Sequence, residues 1–425
     1  MYDIFSLPDV IFPDGFLWGS GTAGHQIEGD NFLSHRWRIE QGYTEENRSG
    51  KACNHYELYR EDAALLKELG HQCYRFSLEW CRIQPAPDRW DDKALEHYLD
   101  ELQELKKNGL KTMVTLCHIS MPAWFVDKGD FRKRENIAYF TKYVEYVVPK
   151  ITPYVDYWNV LNEFFSYMRG SMVFTFNSIR AHSLAYHIIK RYSDAPVSSA
   201  HMALQHYPNR FYDRLDNLTA ALNDFRQHET LLHAIRHGEL IGPEIDAEEC
   251  PEAKGAMDFW ALNIYTRHLV NSRKADLSAE RFPHKKLKMI DMDFYLEEMY
   301  PEGTTAMLER FADRPVFITE NGCACEDDDF RIVYMILYLS ALNDAIRRGV
   351  DLRGYLYWSL LDNYEWISFK PRFGLVGVDF KTFRRIPKRS AFFFRDIIRA
   401  NGFNQEIIRK YLAQMPSLSD IKPRS

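Results

Sequence analysis

KTMVTLC (Lys111–Cys117), NIAYFTKYVEYVV (Asn136–Val148) and VDYWNVL (Val155–Leu161) follow one another with only short gaps between them. The first and third are compact runs rich in β-branched and aromatic residues, the composition of a strand buried on both faces. The middle one places Ile137, Phe140, Val144, Val147 and Val148 three and four residues apart, one apolar stripe on a helix. Strand, helix and strand on this scale make a crossover unit, which joins parallel neighbours in a sheet. The same rhythm extends in both directions. Eight strand-like runs are expected near Phe16–Gly19, Gln72–Ser77, Lys111–Cys117, Val155–Leu161, Pro196–His201, Asp258–Leu262, Pro315–Thr319 and Gly354–Trp358. Amphipathic stretches at Tyr56–Leu69, Lys93–Lys107, Asn136–Val148 and Ile179–Arg191 separate some of them. Eight such units favour a closed (β/α)8 barrel over an open doubly wound sheet.

No repeat, low-complexity tract or Gly/Ser linker divides the 425 residues, so the expectation is a single catalytic domain over residues 1–425. The net charge of -6 lacks the basic footprint of a nucleic-acid binder. The most apolar helical window, Val333–Ile346, is interrupted by Ser340, Asn343 and Asp344 and is too short for a membrane span. Met1-Tyr2-Asp3-Ile4 shows no basic stretch leading into an apolar one. Seven scattered cysteines read as reduced thiols, which points to the cytoplasm. Cys323 and Cys325 read as small residues filling a loop, and Glu326–Asp329 as a solvated acidic loop.

Barrel enzymes build their sites at the C-terminal ends of the strands. There the sequence places His25, Gln26 and Glu28 after the first strand, Arg75 and Trp80 at the second, and His118 after the third. Asn162 and Glu163 follow the fourth, Asn263 and Tyr265 the sixth, Glu320 the seventh, and Trp358, Glu365 and Trp366 the eighth. Carboxylates, amides, an imidazole and indoles grip hydroxyl groups and stack on the C–H face of a pyranose. Two carboxylates on strands four and seven face each other across the ring. Cleavage of a glycoside with retention uses such a pair about 5–5.5 Å apart. Each residue has a plainer reading. Arg75 fits an internal salt bridge, His118 a core histidine, Trp358 and Trp366 core indoles, and Glu365 a surface ion pair.

Seven stretches carry a resemblance: FLWGSGTAGHQIEG (from Phe16), RFSLEWCRIQP (from Arg75), WNVLNE (to Glu163), YPEG (from Tyr300), ITENG (from Ile318), YWSLLDNYEW (from Tyr357) and RFGLVGVDF (from Arg372). Together they resemble glycoside hydrolase family 1, the β-glucosidase and β-galactosidase family, from Phe16 to about Phe393. The resemblance implies a retaining β-glycosidase acting on terminal β-D-glycosides, with Glu320 as nucleophile and Glu163 as acid/base. It implies that Gln26, His118, Asn162, Glu365 and Trp366 contact the glycone, with Trp358 as its platform. Arg75 and Tyr265 would hold the nucleophile, with Asn263 beside them. Neither a metal nor a redox cofactor is implied; the expected partner is a β-glycoside or small oligosaccharide, not nucleic acid or membrane.

Three features depart from the family pattern. Phe164 follows Glu163 where proline is usual, HISMPAW lacks the usual tryptophan after His118, and the segment from Phe164 to Asn177 is short. These departures predict an altered or more open leaving-group side. Among competing functions, a 6-phospho-β-glycosidase is disfavoured by the charge of Glu365 despite Lys370 nearby, and a non-catalytic binding barrel by retention of both carboxylates. A transglycosylase differs only in how water competes with an acceptor.

Overall fold

The structure is a computed structural model describing residues 3–166, 170–273, 289–291 and 296–416. Eight strands close into a barrel: β1 (Leu17–Gly21), β2 (Cys73–Ser77), β3 (Lys111–Cys117), β4 (Tyr157–Asn162), β5 (Val197–Met202), β6 (Trp260–Asn263), β7 (Val316–Glu320) and β8 (Leu352–Trp358). Each pairs in parallel with the next in sequence, and β8 closes on β1 through pairs such as Gly354 with Leu17 and Trp358 with Gly21. Around the ring lie α1 (His55–Glu68), α2 (Asp92–Lys107), α3 (Ile137–Ile151), α4 (Met172–Lys190), α5 (Arg214–Asp224), α6 (Thr230–His237), α7 (Thr304–Arg310), α8 (Asp328–Arg347) and α9 (Arg389–Ala400). No described helix is long and apolar enough to cross a membrane.

The expected strands all form, with their ends displaced. β1, β4, β5, β6 and β7 end one or two residues later than the apolar runs suggest, at Gly21, Asn162, Met202, Asn263 and Glu320. Polar side chains at the mouth end the hydrophobic pattern, but their backbones go on pairing: Asn263 lies opposite Glu320 in the ladder. Three candidate residues, Asn162, Asn263 and Glu320, are therefore the last residues of strands rather than members of the loops beyond. Two helices also differ. α4 begins at Met172, seven residues before the apolar stripe suggests, because Ser171 caps it by accepting from the Phe174 N–H. Its first turns bury Phe174, Thr175, Phe176, Asn177 and Ser178 together, which blurs the periodicity. The acidic run is loop only in its first half: Glu326 and Asp327 are exposed and precede α8, whereas Asp328 and Asp329 begin it. Asp327 caps α8 by accepting from the Asp329 and Phe330 N–H groups, and Asp328 accepts from Ser390 and Arg331. Negative charge at a helix start complements the exposed N–H dipoles.

The barrel interior is filled by Leu17, Cys73, Met113, Ala200, Phe259, Ala261, Phe317 and Leu356, and a larger apolar layer lies between barrel and helices. Gly19, Gly21 and Gly24 have the spacing of a dinucleotide-binding turn, yet in this closed ring they serve close packing. A Cβ on Gly19 would lie 1.9 Å from the Cys73 carbonyl oxygen, and one on Gly24 2.7 Å from a Glu28 carboxylate oxygen. At the opposite end, Val10–Ile11 pairs antiparallel with Gly402–Phe403 and ties the two ends of the chain together.

Candidate active site

The carboxylate of Glu320, at the tip of β7, lies between two donors. Arg75 on β2 donates from Nη1 to Oε1 at 2.5 Å, and Tyr265, just past β6, donates from its hydroxyl to Oε2 at 2.7 Å. Arg75 is fully buried, so its charge needs this partner; a buried cation left alone would be costly. Its other nitrogen, Nη2, donates to Asn162 Oδ1 at 2.6 Å. Asn263 Nδ2 donates to the same oxygen at 3.1 Å and to Glu163 Oε1 at 3.0 Å. The Asn263 amide is fixed from its other side by Thr319, whose hydroxyl donates to Oδ1 at 2.8 Å. Glu163 leaves β4 with a φ of 58°, in the left-handed region that costs an ordinary residue energy. One continuous series of hydrogen bonds thus runs from Glu163 through Asn263, Asn162 and Arg75 to Glu320. Asn263 touches the first carboxylate while standing beside the second in the ladder.

Tyr265 stays a neutral donor over the whole working range. Burial pushes its phenol well above the ordinary value, and the charges of Glu320 and Glu163 push the same way.

A second group forms the opposite wall. Gln26 follows β1, is fully buried, and donates from Nε2 to Asn363 Oδ1 at 2.9 Å. Its Oε1 is buried without a hydrogen-bond partner among the described residues, as in a site built to receive a ligand hydroxyl. Glu365 is 5% exposed and accepts from the Trp358 indole N–H at 3.2 Å. Burial pushes its carboxyl up to about 8 and the charge of Glu320 adds to the rise, while the Trp358 hydrogen bond opposes it. His118 joins the two groups. Its Nε2 lies 3.2 Å from Asn162 Nδ2, and its ring lies nearly parallel to Trp358, 5.7 Å away, and to Trp366, 6.3 Å away. Trp366 has a φ of 62° and the Arg36 guanidinium 4.8 Å above its ring.

Every residue of the expected catalytic and glycone set therefore falls in two facing groups at the mouth that His118 links. Two neighbours that the strand ends also suggested, Trp80 and Glu28, do not. Trp80 is core, against Phe125, Phe140 and Tyr143. Glu28 pairs with Arg82. His25 pairs with Glu40, and its ring lies parallel to Trp366, 6.1 Å away, so it supports the set from the side. Glu365 is not a surface ion pair: it is buried and accepts from an indole. Arg75 is an internal salt-bridge partner, and its partner is Glu320 itself. Phe164, in place of the usual proline, packs its ring 5.8 Å from both Phe131 and Phe174.

The sequence places Asn321 at the end of the seventh strand but gives neither it nor Asn363 a role. Asn321 anchors the end of β7 by donating to the Ile264 carbonyl at 2.7 Å and accepting from the Tyr355 hydroxyl at 2.9 Å. Asn363 orients Gln26. Both lie inside quoted motifs, ITENG and YWSLLDNYEW, which is the one signal that pointed to them.

The chain matches the profile described as Glycosyl hydrolase family 1 over residues 9–403. It is 30% identical to beta-glucosidase A of Acetivibrio thermocellus, over 93% of this chain and 99% of that relative. It is 31% identical to thermostable beta-glucosidase B of Thermobispora bispora, over 93% and 92%. Among solved structures, a beta-glycosidase from Pyrococcus horikoshii superposes with a TM-score of 0.84 at 34% identity, covering 95% of this chain and 98% of its own. A family 1 b-glucosidase from Thermotoga maritima superposes with a TM-score of 0.85 at 27% identity, covering 93% and 99%; the Thermotoga enzyme is also solved with isofagomine lactam. Its closed ring of eight strands and the family match across nearly its whole length lead to one conclusion: this chain belongs to glycosyl hydrolase family 1.

Proposed function

We propose that this glycosyl hydrolase is a retaining β-glycosidase of the β-glucosidase type, working as one catalytic domain in the cytoplasm. Glu320 attacks the anomeric carbon as Glu163 gives its proton to the departing glycosidic oxygen. The C–O bond to the leaving group breaks and a glycosyl ester forms on Glu320. In the second half, Glu163 takes a proton from water, the water oxygen bonds to the anomeric carbon, and the ester bond to Glu320 breaks. The same two residues serve both halves because loss of the Glu320 charge on ester formation changes what Glu163 faces. Arg75 and Tyr265 hold the nucleophile fixed in direction. Gln26, Asn162, His118, Glu365 and Trp366 receive the glycone hydroxyls, and Trp358 takes its apolar face.

The observation that carries this reading is the hydrogen-bonded series through Arg75, Asn162 and Asn263 that joins the carboxylates of β4 and β7. A structural salt bridge needs no second carboxylate at the far end of its network. The beta-glucosidase names of the relatives support glucosides ahead of galactosides or fucosides. A 6-phosphoglycoside stays disfavoured, though on a different ground from the charge of Glu365. Burial favours a neutral carboxyl there, its hydrogen-bonding neighbours Trp358, Gln26 and Asn363 are all uncharged, and Lys370 is exposed. The short Phe164–Asn177 segment supports a more open leaving-group side.

The test is hydrolysis of nitrophenyl β-glucoside, β-galactoside, β-fucoside and 6-phospho-β-glucoside, with the first-formed sugar followed by proton NMR. The β-anomer should appear first and mutarotate to the α-anomer. An α-anomer first would sink the double displacement, and a preference for the phosphorylated substrate would sink the glucosidase reading.

A further inference from the structure

Two residues beyond Asn321, the chain carries Cys323 and Cys325, whose sulfurs lie 3.5 Å apart across a single alanine. All seven cysteines of the chain are free thiols. We propose that Cys323 and Cys325 are an oxidisable dithiol, a modification site on the loop after β7 that closes to a disulfide under peroxide and lowers turnover.

The geometry comes first. A disulfide needs sulfurs about 2.05 Å apart and Cα atoms within about 7 Å. Residues two apart cannot exceed about 7 Å between Cα atoms in any conformation. What remains is a sulfur displacement of about 1.5 Å between the observed contact and that bond length, on a stretch, residues 321–325, with no helix or strand to resist it.

The surroundings assign the order of events. Cys323 is fully buried, whereas Cys325 is half-buried. Burial works against ionising Cys325, but the hydrogen bond from Cys323 and the positive charges of Arg331 and Lys388 outweigh it and bring that thiol below its ordinary value. Burial pushes Cys323 well above. The fully buried Arg331 guanidinium also donates to the carbonyl oxygens of both cysteines, at 2.9 and 2.5 Å. Cys325 is therefore the attacking thiolate. Its sulfur bonds to one oxygen of hydrogen peroxide, the O–O bond breaks, and hydroxide leaves and takes up a proton as water. The Cys323 sulfur then bonds to the sulfenic sulfur of Cys325, the S–O bond breaks, and the hydroxyl leaves as water with the Cys323 proton. Two thiols are oxidised and one peroxide is reduced to two waters.

The loop has no slack toward the site. A Cβ on Gly322 would lie 1.8 Å from the Trp358 carbonyl oxygen, so the backbone there already touches β8. The Trp358 N–H donates to the Asn321 carbonyl at 3.0 Å. Drawing Cys323 toward Cys325 therefore loads the two residues that hold Glu320 and the indole platform in register.

The activity arm of the test rests on the proposed glucosidase reading, but the mass arm does not. The whole protein is treated with hydrogen peroxide, alkylated, digested with trypsin and weighed, and initial rates on nitrophenyl β-glucoside are taken in parallel. The peptide holding both cysteines should lose two hydrogens and escape alkylation, kcat should fall several-fold, and dithiothreitol should reverse both. Cys325→Ser should keep its basal rate and resist the same peroxide dose. Cys323→Ser should trap a sulfenic acid on Cys325 that dimedone captures. Full alkylation of both thiols after peroxide would overturn the proposal, as would equal inactivation of Cys325→Ser.

Discussion

Glu320 and Glu163 differ in what surrounds them, and their variants should differ accordingly. Glu320 is held by a cation and a phenol, whereas Glu163 accepts from the Asn263 amide. Removing the attacking carboxylate in Glu320→Ala should lower kcat on nitrophenyl β-glucoside on the order of a thousandfold or more. Azide or formate should restore part of it by entering the vacated space, with a glycosyl azide of α configuration as the azide product. Near-normal turnover would remove Glu320 from the mechanism. Glu163→Ala should cost 10²–10⁴-fold, the usual order for general acid catalysis, on an alkyl glucoside, and far less in glycosylation of a nitrophenyl one, whose leaving group needs no proton. Equal losses on both would sink the acid role. Glu365 gives a pH test. Its carboxyl sits at about 8 in the fold against 4.5 as the ordinary value. Between those two values the folded chain holds a proton that the unfolded chain has released, so this residue makes stability fall as pH rises through that window. Glu365→Gln should therefore raise Tm at pH 8.5 relative to the parent and leave it nearly unchanged at pH 4.5. A gain of the same size at both values would show that the carboxyl does not titrate there.

Elements were legible from sequence where one physical pattern ruled them. The eight strands show as apolar runs because both faces of a parallel barrel strand are covered. Their ends did not show, because Asn162, Asn263 and Glu320 are polar for the site and still paired in the ladder. The carboxylates were legible because they sit inside specific motifs, WNVLNE and ITENG. The roles of Asn321 and Asn363 were not, since they are defined only by residues far away in sequence, such as Ile264, Tyr355 and Gln26. Nor did the pattern reveal how α1 and α2 are joined. His55, at the start of α1, lies 2.7 Å from Asp62 on its own helix and 3.0 Å from Glu101 on α2. Burial would depress the imidazole, but Glu101 and Asp62 outweigh it and hold it protonated, up to about 10 against an ordinary 6.5. The folded value is the higher one. The stabilisation is thus full below pH 6.5 and lost as pH rises through about 10. His55→Gln leaves two buried carboxylates short of a cation, although Asp62 keeps Arg385. It should lower unfolding free energy by about 3–5 kcal/mol at pH 6, read by urea denaturation, and the difference from the parent should shrink by pH 10. A constant difference across that range would refute the charged pairing.

At the scale of the whole molecule the barrel divides its labour between two ends. The chemistry stands at the C-terminal ends of the strands. The opposite end holds the ring shut, because β1 is joined there to the end of α9 and to the segment that precedes β1. The Trp18 indole donates to Asn401 Oδ1 at 2.9 Å, and Asn401 Nδ2 donates to the Phe12 carbonyl at 2.8 Å. Asn401 also ends α9 with a φ of 49°, so one residue supplies both a turn and a clasp. Two substitutions separate these parts. Asn401→Gly keeps the left-handed turn and loses the side-chain bonds; Asn401→Ala loses both. Leaving the Trp18 donor buried and unpaired costs about 1–3 kcal/mol, and the left-handed backbone adds about 1–2 kcal/mol for alanine. Both variants should therefore unfold at lower urea concentration, alanine lower than glycine. Below their melting temperatures both should turn over nitrophenyl β-glucoside at the parental kcat, because nothing in the clasp touches the mouth. If the folded Asn401→Gly protein lost turnover, the two ends of the barrel would be mechanically coupled, and the separation of stability from chemistry along its axis would be wrong.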